Sequence, residues 1–313
     1  MSEQLIYANS DGEFYQVTKT GFARGIFGGG NNISANVNVI DYITIATTGN
    51  ATDFGDTTVA RRGLAACSSM SRGIFAGGID GSWDNVIDYI TISSTGNATD
   101  FGDLTSNNYT PAGGGNQTRG LFAGGNTGSG TFTNAIQYIT IASTGNATSF
   151  GQLSAVIDYQ GGVSSSTRFC SAGGDPYTNN INYVTIATLS NSSTFGQLTL
   201  ARMGLSGCSS STRGILGGGG YGSSLWANVM DYITIASTGN ATDFGDLTAT
   251  RAQVAASSSN IRGIFGTGSD GATSVANIDY ITIATTGNAA NFGNATMSRY
   301  NAVGLSNAHG GLY

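Results

Sequence analysis

Charge is scarce in this chain. Asp, Glu, Lys and Arg make up 10% of its 313 residues, where ordinary domains carry about a quarter. There are two prolines, three cysteines, one histidine (His309) and one lysine (Lys19). A lone histidine leaves no raw material for a histidine-based triad or a multi-histidine metal site. Net charge is −6, and six of the eleven arginines recur at one spacing, so no basic patch marks the chain for nucleic acid or an anionic membrane. No apolar run is long enough for a membrane span, and MSEQLIYANSDGEFYQ has no basic start, apolar stretch or small-residue cleavage site of a secretory signal. Cys67 and Cys208 stand five residues before Arg72 and Arg213, and Cys170 two after Arg168. Thiols embedded in this way read as small buried side chains, not as a disulfide framework or a zinc site. What the chain does have is glycine, 49 residues, and 39% apolar content. Helix is disfavoured, yet a core can be buried and disorder is excluded.

The glycines fall in a repeat. Asn85 to Leu104, NVIDYITISSTGNATDFGDL, has five further copies. Tyrosines mark them at 42, 89, 138, 183, 232 and 280, and a phenylalanine follows each after twelve residues, at 54, 101, 150, 195, 244 and 292. Eighteen residues after each of the first five phenylalanines comes an arginine, Arg72, Arg119, Arg168, Arg213 and Arg262, opening RGIFAGG or a near copy, and Arg24 opens the first. Only the interval from that arginine to the next tyrosine varies, from 15 to 19 residues. One loop per repeat is free and the rest is fixed.

Each repeat reads as four short strands. In the second copy, strand a covers about Gly63 to Ser68 and strand b about Gly73 to Ala76, closed by Gly77-Gly78. Strand c covers about Val86 to Ser93, rich in Ile, Tyr and Thr, and strand d covers Thr99 to Leu104. Thr95-Gly96-Asn97-Ala98 between the last two carries a two-residue turn signal. Four antiparallel strands in about 48 residues, repeated in series, predict an all-β fold, a β-propeller in which each sheet packs on the next.

An arginine before strand a (Arg61, Arg202, Arg251, Arg299), a double glycine after strand b, a tyrosine in strand c and an aromatic in strand d resemble kelch repeats, from Arg24 to the end. The strand-d tryptophan of that family is phenylalanine in every copy, Thr267 interrupts one double glycine, and Asn108 and Ile157 replace two of the arginines. The near-identical YITIASTGNATDFGDL wording is similar to kelch-like virion proteins of tailed, especially marine, bacteriophages, which implies a structural protein located in the virion. The resemblance also covers kelch-like oxidases, whose copper site needs imidazoles that this chain cannot supply. The organisation expected is residues 1–23 as an amino-terminal arm or closing strands and 24–313 as a kelch-like propeller of six blades, with Ala302 to Ser306 completing the first. The alternative is seven blades, one a composite of both termini, because Phe14 to Thr20 stands where a strand a belongs and the final GGLY keeps the register of a strand b.

Catalytic residues, metal ligands and cofactors are all expected to be none. Asp41, Asp88, Asp231 and Asp279 share one repeat position, as do Asp56, Asp103 and Asp246, so they read as turn caps or partners of the repeated arginines. Function is expected where the repeat is broken. The b to c loops and d to a connections emerge on one face, and there the sequence offers binding candidates that it does not match between repeats: Trp83, Phe132, Tyr177, Tyr221 and Trp226, with Tyr109 in a d to a connection. Aromatics of this kind either fill gaps between blades or form an adhesive surface. The functional expectation is a non-enzymatic virion module, an appendage, fibre or decoration, that serves as a rigid platform for other virion proteins or a host-surface ligand. The alternative is a carbohydrate-binding, lectin-like propeller with a host-surface glycan as partner. Nucleic acid and membrane insertion are not expected; a homo-oligomer is compatible with either reading.

Overall fold

A computed structural model describes residues 4–8, 14–18, 23–222 and 225–313. Six four-stranded antiparallel sheets form the blades of a β-propeller, each in the order a-b-c-d. Blade 2 is representative: Ala65–Ser68, Arg72–Ala76, Val86–Thr91 and Thr99–Asp103. Blades 3 to 6 repeat it, their a strands being Ala112–Gly115, Gly161–Ser164, Ser206–Ser209 and Ala255–Ser258. Blade 1 is built from both ends of the repeat region: Val303–Ser306 pairs antiparallel with Arg24–Gly28, Val303 opposite Gly28 and Ser306 opposite Gly25. This joint closes the ring and removes an open sheet edge. It also excludes the seven-bladed alternative. Phe14–Thr18 pairs with Gln4–Ala8 in a two-stranded sheet of their own, and Gly310–Leu312 forms a 3₁₀ turn rather than a strand. Residues 1–3, 9–13 and 19–22 of the 1–23 arm lie outside the described residues.

No blade has a core to itself, because a four-stranded sheet buries both faces only when stacked on its neighbours. Each apolar cluster straddles a blade boundary. Ala65, Ile74 and Ile87 of blade 2 pack with Phe122, Ile139 and Ile141 of blade 3, and Phe27 and Ile43 of blade 1 pack with Ile264, Ile278 and Phe292 of blade 6 across the closure.

The fixed spacing of Tyr, Phe and Arg is explained by a staple repeated at every boundary. Arg72 lies over the Tyr89 ring at 4.8 Å, and Tyr89 meets Phe101 edge-on at 6.0 Å. The same guanidinium donates to the carbonyls of Ile141 and Ala142 in the next blade. Arg262 does likewise to Ile45 and Ala46, from blade 6 to blade 1. The Gly-Asn turn needs correction. Chain reversal occurs earlier, where Ser94 N–H donates to Thr91 C=O, while Gly96 and Ala98 donate to Phe54 and Asp56 of the preceding blade. Asn97 Oδ1 accepts from Asp56 N–H, so the dipeptide is a docking strip between blades and not a hairpin apex.

The second arginine set is buried. Arg61, Arg202, Arg251 and Arg299 pair with Asp88, Asp231, Asp279 and Asp41 at 2.6 to 2.9 Å, which assigns these four aspartates to structure. The two blades that lack the arginine lack the aspartate too. Asn108 is accompanied by Gln137, and Ile157 by Asn182, both amides being held by a connector hydroxyl from Thr105 or Ser154. A charge is thus never left without its partner in these buried sites, where an isolated ion would be costly.

Thr267, which interrupts a double glycine, is fully buried with φ of 59° and an unpaired hydroxyl. A β-branched residue in the left-handed region is strained. Thr267→Gly is therefore expected to stabilise the protein by about 1 kcal/mol, the relief of strain and of a buried unpaired group outweighing lost packing and chain entropy; chemical denaturation at constant m-value checks it.

Candidate functional site

The a strands form the inner wall of a narrow axial channel. Their spacing is set by small residues: a Cβ placed on Gly162 would stand 2.2 Å from the carbonyl oxygen of Gly113, and one on Gly207 2.3 Å from that of Gly162. Just before each a strand, one residue per blade adopts positive φ: Gly63, Thr110, Tyr159, Gly204, Gln253 and Asn301, with φ between 52° and 68°. This conformation turns the peptide groups tangential to the ring. Each of these six residues donates its N–H to the carbonyl of its counterpart in the preceding blade, Thr110 to Gly63, Tyr159 to Thr110 and so on to Gly63 to Asn301, in a closed cycle of 2.6 to 3.2 Å. Four of the six are not glycine, so strain of order 1 kcal/mol at each is offset by ring hydrogen bonds.

This mouth opens on the face of the variable loops. The residue preceding each ring member bridges the b to c loop of its own blade: Arg62 with Ile79, Tyr109 with Asn126, Asp158 with Asp175, Met203 with Gly220, Ala252 with Ser269 and Tyr300 with Asn31. Length variation is therefore on one face, as the strand order requires. Tyr109 bends over the mouth. Its ring meets Tyr159 edge-on at 5.7 Å, the two hydroxyls are 2.7 Å apart, and Asn301 Nδ2 donates to the Tyr109 hydroxyl at 3.0 Å. Beneath this trio is a cavity of about 90 Å³ reached by Gln253 and lined by all six a strands.

Arg62, Tyr159, Gln253, Tyr300 and Asn301 are absent from the residues singled out by sequence. Counting forward from the buried arginines would have found them. The next two positions read Arg-Gly, Tyr-Thr, Asp-Tyr, Met-Gly, Ala-Gln and Tyr-Asn, a scatter within an otherwise constant repeat. Asp158 is 2% exposed, with one oxygen unpartnered; burial, reinforced by Asp175, pushes its carboxyl up to about 7.

The loop aromatics belong to a different set. Trp83, Phe132 and Trp226 each close a b to c loop by bridging Ile79, Asn126 and Gly220. Counted back from the strand-c tyrosine, these three and Tyr177 occupy one position, six residues upstream, where blades 1 and 6 have Asn36 and Ser274. They are matched between repeats, contrary to the sequence expectation; variable loop length on the other side hid the alignment. Trp83, Phe132 and Trp226 are half-buried, and among the described residues the buried indole N–H groups of both tryptophans have no partner. The Trp226 ring lies against Gly271 of the next blade. Tyr177 and Tyr221 are each 41% exposed and Leu225 51%. The Tyr177 hydroxyl donates to Gly222 C=O, tying the loops of blades 4 and 5 into one apolar surface.

At the opposite end the wall carries Ser68, Ser164, Ser209, Ser258 and Ser306, with Gly115 in the sixth place. Ser209, Ser258, Ser306 and Ser68 each donate Oγ–H to the serine carbonyl of the preceding blade. Gly115 has no hydroxyl to offer Ser68 C=O, and His309 supplies the donor instead, with Nε2 3.1 Å away. Its Nδ1 accepts from Gly311 N–H, which fixes the tautomer as neutral with Nε2 protonated. The carboxyl-terminal turn thereby covers this end of the channel. Only glycines fit there: a Cβ on Gly310 would meet Ser210 C=O at 1.8 Å and one on Gly311 would meet Gly115 C=O at 2.1 Å.

Burial lowers the His309 pKa from 6.5 to about 4. The docked imidazole binds its proton more weakly than the released one, so docking is fully favoured above pH 6.5 and is lost as the pH falls towards 4. Methyl NMR of Leu312 should move towards its random-coil position across that window. Unchanged Leu312 signals down to pH 4 would contradict the assignment. Burial also raises the thiols, those of Cys170 and Cys208 to about 12, and all three cysteines are free. They are placed as inert core side chains.

Compared with known proteins, the chain matches no protein-family model and no curated protein.

Proposed function

We propose that this chain is a non-enzymatic structural module of a phage particle, a rigid propeller that holds another virion protein on its variable-loop face. The observation that carries the platform reading is the apolar surface of Tyr177, Tyr221 and Leu225, exposed on two loops that brace one another. Exposed aromatics on a pre-organised support bind with little ordering cost. Further support comes from where the chemistry-bearing side chains lie: the four strand-c aspartates are paired with arginines in the core, the thiols are buried, and the histidine is spent holding the carboxyl-terminal turn. The virion assignment rests on the resemblance of the repeat wording.

Mass spectrometry of purified particles tests residence: the protein is expected as a stoichiometric component, and its absence removes the assignment. The Tyr177→Ser, Tyr221→Ser double variant is expected to keep its thermal transition while losing at least about tenfold in affinity for the co-purifying particle protein. Unchanged affinity would reject this surface as the platform.

A further inference from the structure

Ten of the eleven arginines have structural assignments, six as staples over tyrosines and four as buried partners of aspartate or of the core carbonyls. Arg62 is the eleventh. Among the described residues no carboxylate lies within salt-bridge distance of it; Nη1 donates to Asn36 Oδ1 at 3.1 Å, and the side chain also meets the Tyr109 hydroxyl. Its neighbour Gly63 abuts the Tyr109 ring and donates to Asn301 C=O, which places Arg62 on the rim beside Tyr109, with Tyr159 and Tyr300 near enough to act on its charge. Burial alone would lower its pKa, but these neighbours hold it above the ordinary value. The mouth therefore presents a cation with N–H groups to spare in a protein whose net charge is −6.

The groups around Arg62 are neutral and unsaturated. Tyr109 and Tyr159 share one hydrogen bond while Tyr109 also accepts from Asn301, so one phenolic O–H is left to donate outward whichever way the pair is oriented. The Gln253 side chain borders the cavity, partly exposed and without a hydrogen-bond partner. Asn301 spends only its amide nitrogen within the trio. One cation, a free phenolic donor, two amides and tyrosine faces suit a molecule with one negative charge, several hydroxyls and a face to stack. The cavity of about 90 Å³, bordered by Tyr159, Gln253 and Asn301 but not by Arg62, has room for roughly three waters, enough for the hydroxyl-bearing edge of a ring, with the carboxylate held above it at the rim.

We propose that the channel mouth, with Arg62 on its rim, binds the carboxylate of an acidic sugar. Arg62 takes the carboxylate; the Tyr109 and Tyr159 pair, Gln253 and Asn301 take ring hydroxyls. The site is distinct from the Tyr177 and Tyr221 surface and does not depend on the platform reading.

The test is an NMR titration of the full chain at low ionic strength with galacturonic acid and N-acetylneuraminic acid, beside their methyl esters, neutral galactose and a peptide with a single glutamate. At least one acid is expected to bind saturably, shifting signals of Gln253 and Asn301, with its ester at least about tenfold weaker. Arg62→Gln should cost a similar factor and Arg62→Lys less, while the Tyr177→Ser, Tyr221→Ser variant should bind the acid as the parent does. Failure of both acids to bind, equal binding of acid and ester, or binding by the peptide alone would overturn the proposal. The ester comparison needs no variant and holds even if Arg62→Gln misfolds.

Discussion

A chain shortened to end at Ser298 is expected to lose the cooperative fold of all six blades rather than that of blade 1 alone. The deletion removes Val303–Ser306, the innermost strand of blade 1, together with Arg299, which leaves Asp41 buried without its ion pair. The second loss by itself costs about 3–5 kcal/mol. The first opens the edge of Arg24–Gly28 and uncovers the cluster in which Leu305 packs with Ile26, Phe75 and Ile90. It also breaks the six-membered peptide ring at Asn301 and the serine ring at Ser306. Because every apolar cluster is shared between neighbours, one defective blade exposes the faces of two others. Thermal unfolding should show a midpoint lowered by at least about 10 °C or no cooperative transition at all. A truncated protein that melts with the full chain would refute closure by this segment.

The second large effect concerns the buried ion pairs. Arg251→Ile leaves Asp279 without its ion pair in a site 1% exposed, and should destabilise by about 3–5 kcal/mol. The double change Arg251→Ile, Asp279→Asn reproduces what blade 4 carries naturally at Ile157 and Asn182, with the connector hydroxyl of Thr248 available to the new amide as Ser154 is to Asn182. It is expected to cost less than half as much as the single change. Denaturant melts of the four proteins of this cycle check it. Additive effects would mean that the co-occurrence of Arg with Asp, and of Asn or Ile with an amide, does not reflect physical coupling.

The sequence by itself determined the repeat and the four strands per blade and favoured six blades, while the exclusion of a seventh came from the pairing of Val303–Ser306 with Arg24–Gly28. These depend on local patterning: a tyrosine-to-phenylalanine interval of twelve residues and a run such as VIDYIT admit one strand register, and six copies with one strand displaced to the far end require closure. It also indicated that repeated arginines and aspartates meet, since equal periodicity of opposite charges in a low-charge chain leaves few other partners. The Gly-Asn dipeptide misled because a turn signal states only which backbone angles are permitted. Its actual use, docking on the neighbouring blade, is set by packing between segments more than 40 residues apart. The alignment of Trp83, Phe132, Tyr177 and Trp226 was present in the sequence, but variable spacing on their upstream side concealed it.

Only the tertiary structure decided what lies at the two ends of the channel. The six left-handed residues gain their hydrogen bonds from the next blade, about 50 residues away, and no local pattern announces such a cycle. Arg62 is one arginine among eleven in the sequence. It becomes distinct once ten others have been assigned partners and it is found on the rim beside Asn36 and Tyr109, residues of other repeats. His309 likewise carries no signal of its role, because the carbonyl it satisfies is available only where Gly115, some 200 residues earlier in the chain, lacks a hydroxyl. Local periodicity specifies a blade; closing blades into a ring creates sites from residues whose only relation is that each stands next to the axis.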